Sequence, residues 1–226
     1  MYYCGLDLGQ LQDWTALSVL RYREPQREVV TVHEYPAYTG SERKVRVTET
    51  RPIPRIEQRP EWGLIHVARW RNRPYREMIA EVAKQLGQLD EYVLAVDHTG
   101  VGVAVAELAE DAGLKPVKIS IHGGDKVSYQ NGTYRVPKRD LVSIVQLGLQ
   151  NRQLRIADGP DWTALVLHEL SNFRLKLDPA TAHDSYSAWR ENDHDDIVLS
   201  VSLAMWASQH AANRVGSVPN PWFNIA

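Results

Sequence analysis

The 226-residue sequence predicts an α/β domain built on a mixed β-sheet with helices on both faces. Three observations predict it. Apolar, β-branched runs open the chain, the middle reads as alternating strand and helix, and the last third is mostly helical in pattern. Residues 2–9 (YYCGLDLG) and 14–23 (WTALSVLRYR) read as two strands joined by a short turn, and 28–35 (EVVTVHEY) alternates as a third. Three successive strands suggest an antiparallel meander at one side of the sheet. Residues 36–61 carry Pro36, Gly40, Pro52, Pro54 and Pro60, so a long loop excursion is expected there. Residues 63–70 (GLIHVARW) return to strand pattern.

A helix follows, with Asn72 as a cap, Pro74 near its first turn and Gly87 as its stop. Tyr75, Met78, Ile79, Val82, Ala83 and Leu86 fall on one apolar face at helical spacing. Residues 91–97 (EYVLAVD) form a buried type of strand. Thr99-Gly-Val-Gly then leads into a helix ending near Gly113, and 115–121 (KPVKISI) is the next strand. Residues 126–136 read as a β-hairpin, because Asn131-Gly132 supplies the two positive-φ residues of a type I′ turn. A helix from Pro137 to about Gln150, a short strand over 153–156 and a helix over 161–174 come next. Residues 178–192 look like loop, and a last apolar helix runs from His194 to Ala211. One domain over 1–212 and an extended tail over 213–226 are expected, with no repeat and no interdomain linker.

Composition narrows the classes. Charged residues are 24% and the apolar set 43%, which excludes disordered, collagenous and low-complexity readings. No run approaches the roughly 18 apolar residues of a membrane span. The first residues lack the basic and apolar regions of a signal peptide. Cys4 is the single cysteine, so an internal disulfide is impossible, and no zinc-type Cys/His spacing occurs. A cytosolic protein, in the host cytoplasm if viral, is expected. The net charge of −2 conceals a basic strip: residues 43–76 hold ten Lys/Arg against three acids, or +7, which leaves −9 on the rest. Such a strip suits a polyanion such as nucleic acid, and equally a solvated arginine-rich loop.

Four carboxylates carry the chemistry. Asp7 stands between Leu6 and Leu8 in an apolar strand, Asp97 ends another, and Asp195 and Asp196 open the apolar helix Ile197–Trp206. Burying isolated carboxylates is costly unless they are paired or bind metal. Hard divalent cations take carboxylate oxygens, and two such ions can stabilise both the attacking and the leaving oxygen of a phosphodiester displacement. Each acid also has a plain structural explanation. First-turn acids meet the helix macrodipole, and Asp97 can start a turn. Asp7 is harder to explain so, because Asp disfavours strands.

The ordered set Gly5-Leu-Asp7-Leu-Gly9, Val96-Asp97-His-Thr-Gly100-Val-Gly102 and His194-Asp195-Asp196 resembles the nuclease domain of viral (phage) terminase large subunits, of the RNase H-like, RuvC/integrase superfamily. Val136-Pro-Lys-Arg-Asp140-Leu and Trp189–Ile197 extend the resemblance, which covers residues 2–212. It implies an RNase H-like fold and Asp7, Asp97 and an acid of the Asp195–Asp196 pair as catalytic metal ligands. It implies Mg²⁺ or Mn²⁺, as two ions, and endonucleolytic cleavage of double-stranded viral DNA concatemers during genome packaging. It also implies a terminase ATPase domain, a small terminase subunit and a portal protein as partners. The family's ATPase half carries a G-x-x-x-x-G-K-[ST] loop, and no such run occurs in these residues, so translocation by this polypeptide alone is not expected.

The expected DNA-binding set is Lys126 and Arg135 on the hairpin, Lys138 and Arg139 after it, and Arg69, Arg71 and Arg73 in the basic strip. Tyr129 and Tyr134 either interleave with these charges against bases or pack on each other across the hairpin. His98 can order a water near the site, and His194 can shuttle a proton or simply flank a helix cap. Three other readings stand beside the nuclease: a Holliday-junction-resolvase-like enzyme, an actin-like or sugar-kinase-like phosphotransferase, and a non-catalytic docking module of a packaging motor. The phosphotransferase shares the Asp7-Leu-Gly9 and Asp97–Gly102 pattern but gives Asp195 and Asp196 no role.

Overall fold

The computed structural model describes residues 1–9, 13–25, 29–36, 44–51, 59–172 and 195–211. His194, the loop expected over 178–192 and the tail over 213–226 lie outside the described residues. In chain order the elements are β1 (Tyr2–Asp7), β2 (Thr15–Arg23), β3 (Val29–Pro36), β4 (Lys44–Arg51), β5 (Glu61–Trp70), α1 (Tyr75–Leu86), β6 (Tyr92–Asp97), α2 (Gly102–Asp111) and β7 (Val117–His122). Then come β8 (Ser128–Gln130), β9 (Thr133–Pro137), α3 (Lys138–Gln150), β10 (Leu154–Ile156), α4 (Thr163–Asn172) and α5 (Asp196–His210). The chain forms two compact units, residues 23–61 and the remainder.

The larger unit holds a mixed eight-stranded sheet in the order β10-β5-β2-β1-β6-β7-β9-β8. β1 pairs antiparallel with β2 and parallel with β6, and β6, β7 and β9 continue in parallel. The carboxyl ends of β1, β6, β7 and β9 therefore share one edge of the sheet. Side-chain alternation sorts residues to two faces. Cys4, Leu6, Leu94 and Val96 pack with Met78, Val82, Val105 and Ala109 of α1 and α2. Tyr3, Val93 and Ala95 pack with Leu141, Val145, Ile197 and Val201 of α3 and α5.

α5 is buried from Asp196 to Ser208, as its apolar composition on all sides requires. It lies directly on β1. A Cβ on Gly5 would stand 1.8 Å from the Ser200 carbonyl oxygen, so only glycine admits the helix at this depth. Ser18, opposite Gly5 on β2, hydrogen-bonds Ser200 across the same seam. Trp62 Nε1 donates to Ser208 Oγ at 2.8 Å, and Ser200, Ser202 and Ser208 donate to carbonyls three residues back. The serine hydroxyls of the buried part of the helix are thereby satisfied.

Three expectations are corrected. The N-terminal meander does not form: β2 is flanked in the sheet by β5, while β3 pairs antiparallel with β4 in the smaller unit. The stretch expected as irregular over 36–61 contains β4, because its prolines bracket residues 44–51 rather than interrupt them. Asn72 does not cap α1. It sits at φ 55, and Pro74 precedes the helix with no side-chain cap. Within the stretch expected as a hairpin over 126–136, β8 pairs antiparallel with β9, with Asn131 at φ 50 and Gly132 at φ 80.

Candidate active site

Asp7 and Asp97 end adjacent parallel strands, each one residue past the last register pair, Leu6–Val96. Leu6 and Val96 face α1 and α2, so alternation turns both aspartates to the α5 side. The close seat of α5 on Gly5, two residues before Asp7 on the same face, brings the start of that helix to the same place. Asp195 stands at the N-cap position and Asp196 opens the first turn. The four acids thus meet at the carboxyl edge of the sheet. Asp7 is 6% exposed, and burial raises its pKa well above the usual carboxylate range; Asp97, Asp196 and Asp195 add to the rise, and Lys138 opposes it.

Three of these carboxylates have partners of their own. Asp97 Oδ1 accepts the Thr99 amide at 2.9 Å. Asp195 Oδ2 lies 3.4 Å from Lys138 Nζ. Asp196 Oδ2 accepts from Arg69 Nη2 at 2.7 Å. Among the described residues no three His, Cys, Asp or Glu side chains are gathered closely enough to hold an ion as they stand. The acids share one electrostatic field around Asp7, while Asp195 and Asp196 each meet a basic side chain and Asp97 a backbone amide.

No protein-family model and no curated protein matches this sequence. Solved structures do. The large terminase nuclease from thermophilic phage G20c is 19% identical and aligns over 92% of this chain and 82% of its own length, with a TM-score of 0.56. The same nuclease with bound magnesium aligns over 91% of this chain and 80% of its own at 19% identity, with a TM-score of 0.57. The Thermus phage P74-26 large terminase nuclease domain is 17% identical over 96% of this chain and 83% of its own, with a TM-score of 0.54. The chain has the fold of a phage large terminase nuclease.

Within this terminase-nuclease fold, the expected basic residues divide. Lys138 opens α3 at the carboxylate edge, and Arg139 beside it pairs with Asp125 at 2.7 Å. Lys126 and Arg135 are exposed on the hairpin. Tyr129 and Tyr134 are register partners with ring centroids 4.5 Å apart, and Tyr134 rests edge-on against Trp206, so the pair packs across the hairpin. Arg71 and Arg73 are exposed, with Arg71 5.7 Å from the Trp14 ring. Arg69, expected on a DNA-facing strip, is corrected: its side chain is 10% exposed and paired with Asp196 and Glu169. His98 faces Lys118, Glu110 and Glu107, and burial and Lys118 lower its pKa.

Glu169 of α4 is a site residue that sequence reasoning missed. It is 4% exposed, lies 3.2 Å from Arg69 Nη1 and accepts the Ile197 amide at 3.0 Å, capping α5 from another helix. Burial raises its pKa to about 7 against the lowering effect of Arg69. A cavity of about 240 Å³ between Gly9, Asp13, Trp70, Arg73 and Tyr75 includes none of the four aspartates in its lining. Asp7 and Asp196 are buried, whereas Asp97 and Asp195 are half-buried.

Proposed function

We propose that this chain is a divalent-metal-dependent endonuclease that cuts double-stranded DNA concatemers during phage genome packaging. The observation that carries the reading is the convergence of Asp7, Asp97, Asp195 and Asp196 on one sheet edge, in a fold shared with large terminase nucleases. Relatives of that fold have been solved with cobalt, magnesium and zinc. The donor set fits a hard divalent cation, because it consists of carboxylate oxygens around a buried aspartate whose charge nothing else fully offsets.

Asp7, Asp97 and one or both of Asp195 and Asp196 would hold the metal, as two Mg²⁺ or Mn²⁺ ions. Bound there, the ions would supply neutralisation of the scissile phosphate and activation of the attacking water. The protein's own contribution is placement. β1 and β6 fix two carboxylates on rigid strand ends, and α5 delivers the others on a helix that cannot shift on Gly5. Lys138, at the same edge, is positioned to hold a phosphate oxygen, while Lys126, Arg135, Arg139, Arg71 and Arg73 track the DNA backbone without reading sequence. A terminase ATPase domain, a small terminase subunit and a portal protein are the partners this reading entails, in the host cytoplasm. No described helix is long and apolar enough to cross a membrane.

Plasmid nicking in Mn²⁺ tests the proposal. Asp7→Asn and Asp97→Asn are expected to lower the rate by about a thousandfold or more while leaving the circular dichroism spectrum unchanged, as loss of an essential electrostatic element does. Wild-type rates in both variants would overturn it. A four-way junction assayed beside linear duplex distinguishes a resolvase-like preference.

A further inference from the structure

Arg69 ties two buried acids from different helices together. Its Nη2 lies 2.7 Å from Asp196 Oδ2 on α5, and its Nη1 lies 3.2 Å from Glu169 Oε1 on α4. Its guanidinium carbon sits 4.5 Å from the centre of the Trp14 ring, so the group is held from a further side as well. The three side chains are 10%, 10% and 3% exposed, which removes the solvent screening that makes surface pairs weak. Even so, the triad is not saturated. Arg69 Nε and Glu169 Oε1 are buried without a hydrogen bond among the described residues. Arg69 Nε is thus a donor in reserve, Glu169 Oε1 meets Nη1 as an ion pair only, and the closer contact goes to Asp196.

We propose that Arg69 and Glu169 are positioning residues that set metal affinity at Asp196, with Arg69 a latch on that carboxylate and Glu169 the place to which the latch retires. This rests on the metal-site reading given above. An ion that takes Asp196 Oδ2 must displace a buried arginine. Displacing it into a low-dielectric interior with no counter-ion is prohibitively costly. Glu169 lowers that cost, since the guanidinium already touches it and has an unused donor to offer it. Glu169 also accepts the Ile197 amide, so it holds the residue next to Asp196 while the arginine moves. The device keeps Asp196 satisfied when metal is scarce and gives it up when metal and DNA arrive.

Substitutions at the two positions have opposite expected effects, which a merely supporting role does not produce. Glu169→Gln retains an oxygen for the Ile197 amide but deprives Arg69 of its second anion. Arg69 then holds Asp196 harder, and Mn²⁺ affinity by titration calorimetry should weaken about tenfold. Arg69→Gln frees Asp196, and Mn²⁺ should bind about tenfold tighter and raise the melting temperature further than in the wild type. Arg71→Gln removes equal charge beside the same indole, and should leave Mn²⁺ affinity within about twofold if contact rather than overall field is responsible. Wild type and Asp7→Asn are titrated alongside. If the wild type binds no Mn²⁺, or Asp7→Asn binds it equally well, the metal-site reading fails and the latch with it. If those two behave as expected but Glu169→Gln and Arg69→Gln shift affinity in the same direction, or neither shifts it, or Arg71→Gln matches Arg69→Gln, the latch alone is overturned. Should Arg69→Gln fail to fold, weakening in Glu169→Gln supports the latch and an unchanged or tighter affinity there overturns it.

Discussion

A carboxylate at 6% exposure with three others in its field costs a folded chain stability for as long as it stays ionised. Asp7 occupies that position, and Asn at the same site keeps the shape without the charge. Asp7→Asn is therefore expected to melt higher than the wild type in EDTA, by about 1–2 kcal/mol or roughly 2–8 °C for a chain of this length, while losing cleavage. Differential scanning calorimetry checks this, and a lower melting temperature contradicts it. Glu169 gives the matching pH prediction. Its folded pKa is raised from 4.5 to about 7, and that of Asp7 is raised too, so the folded protein binds more protons than the unfolded chain between those values. Stability from these groups is fully present below their unfolded pKa and lost as pH rises through the folded one. Metal-free protein should accordingly become more stable as pH falls from about 8 toward about 5, and Glu169→Gln should flatten that slope. Thermal melts in EDTA across this range are the check. The four aspartates were legible in the sequence because each stands at the boundary of an apolar run. Arg69 and Glu169 were not. Glu169 is an ordinary helix former in TALVLHELSN, and its partner lies 100 positions away in a strand, a pairing that no local pattern encodes.

At the scale of elements, the site depends on how closely α5 lies on β1. Gly5→Ala places a methyl group 1.8 Å from the Ser200 carbonyl in the present arrangement, so the helix must lift or the strand must bend. The expected cost is about 3 kcal/mol or more, at the upper end of overpacking effects because the obstructing atom is backbone. Urea denaturation measures it. Because α5 carries Asp195 and Asp196, the surviving folded protein should also bind Mn²⁺ more weakly. The hairpin around Asn131-Gly132 was readable because two adjacent positive-φ residues are a local demand. β4 and the neighbours of β2 were not, since strand order is decided by contacts far apart in sequence: β5 reaches the side of β2 from 38 residues beyond its end.

Among the described residues, charge separates into a strongly negative carboxylate edge and basic residues on the hairpin, at the start of α3 and after β5. If Lys126, Arg135, Lys138, Arg139, Arg71 and Arg73 all meet phosphates, duplex binding should weaken with a log–log salt slope of about −5, and each alanine substitution should reduce that slope by about 1. Fluorescence anisotropy between about 50 and 200 mM salt decides this, and a flat response removes these residues as the DNA surface. Fold class was legible without a matching family model because strand and helix periodicities survive where sequence identity falls to 17–20%.

The most direct test is a crystal structure of the metal-soaked protein, with anomalous scattering to locate Mn²⁺. The account predicts density within about 2.0–2.3 Å of oxygens from Asp7, Asp97 and at least one of Asp195 and Asp196, with those side chains turned inward from Lys138 and Arg69. A fully soaked crystal in which these aspartates keep their present partners and no ion lies between them would contradict it.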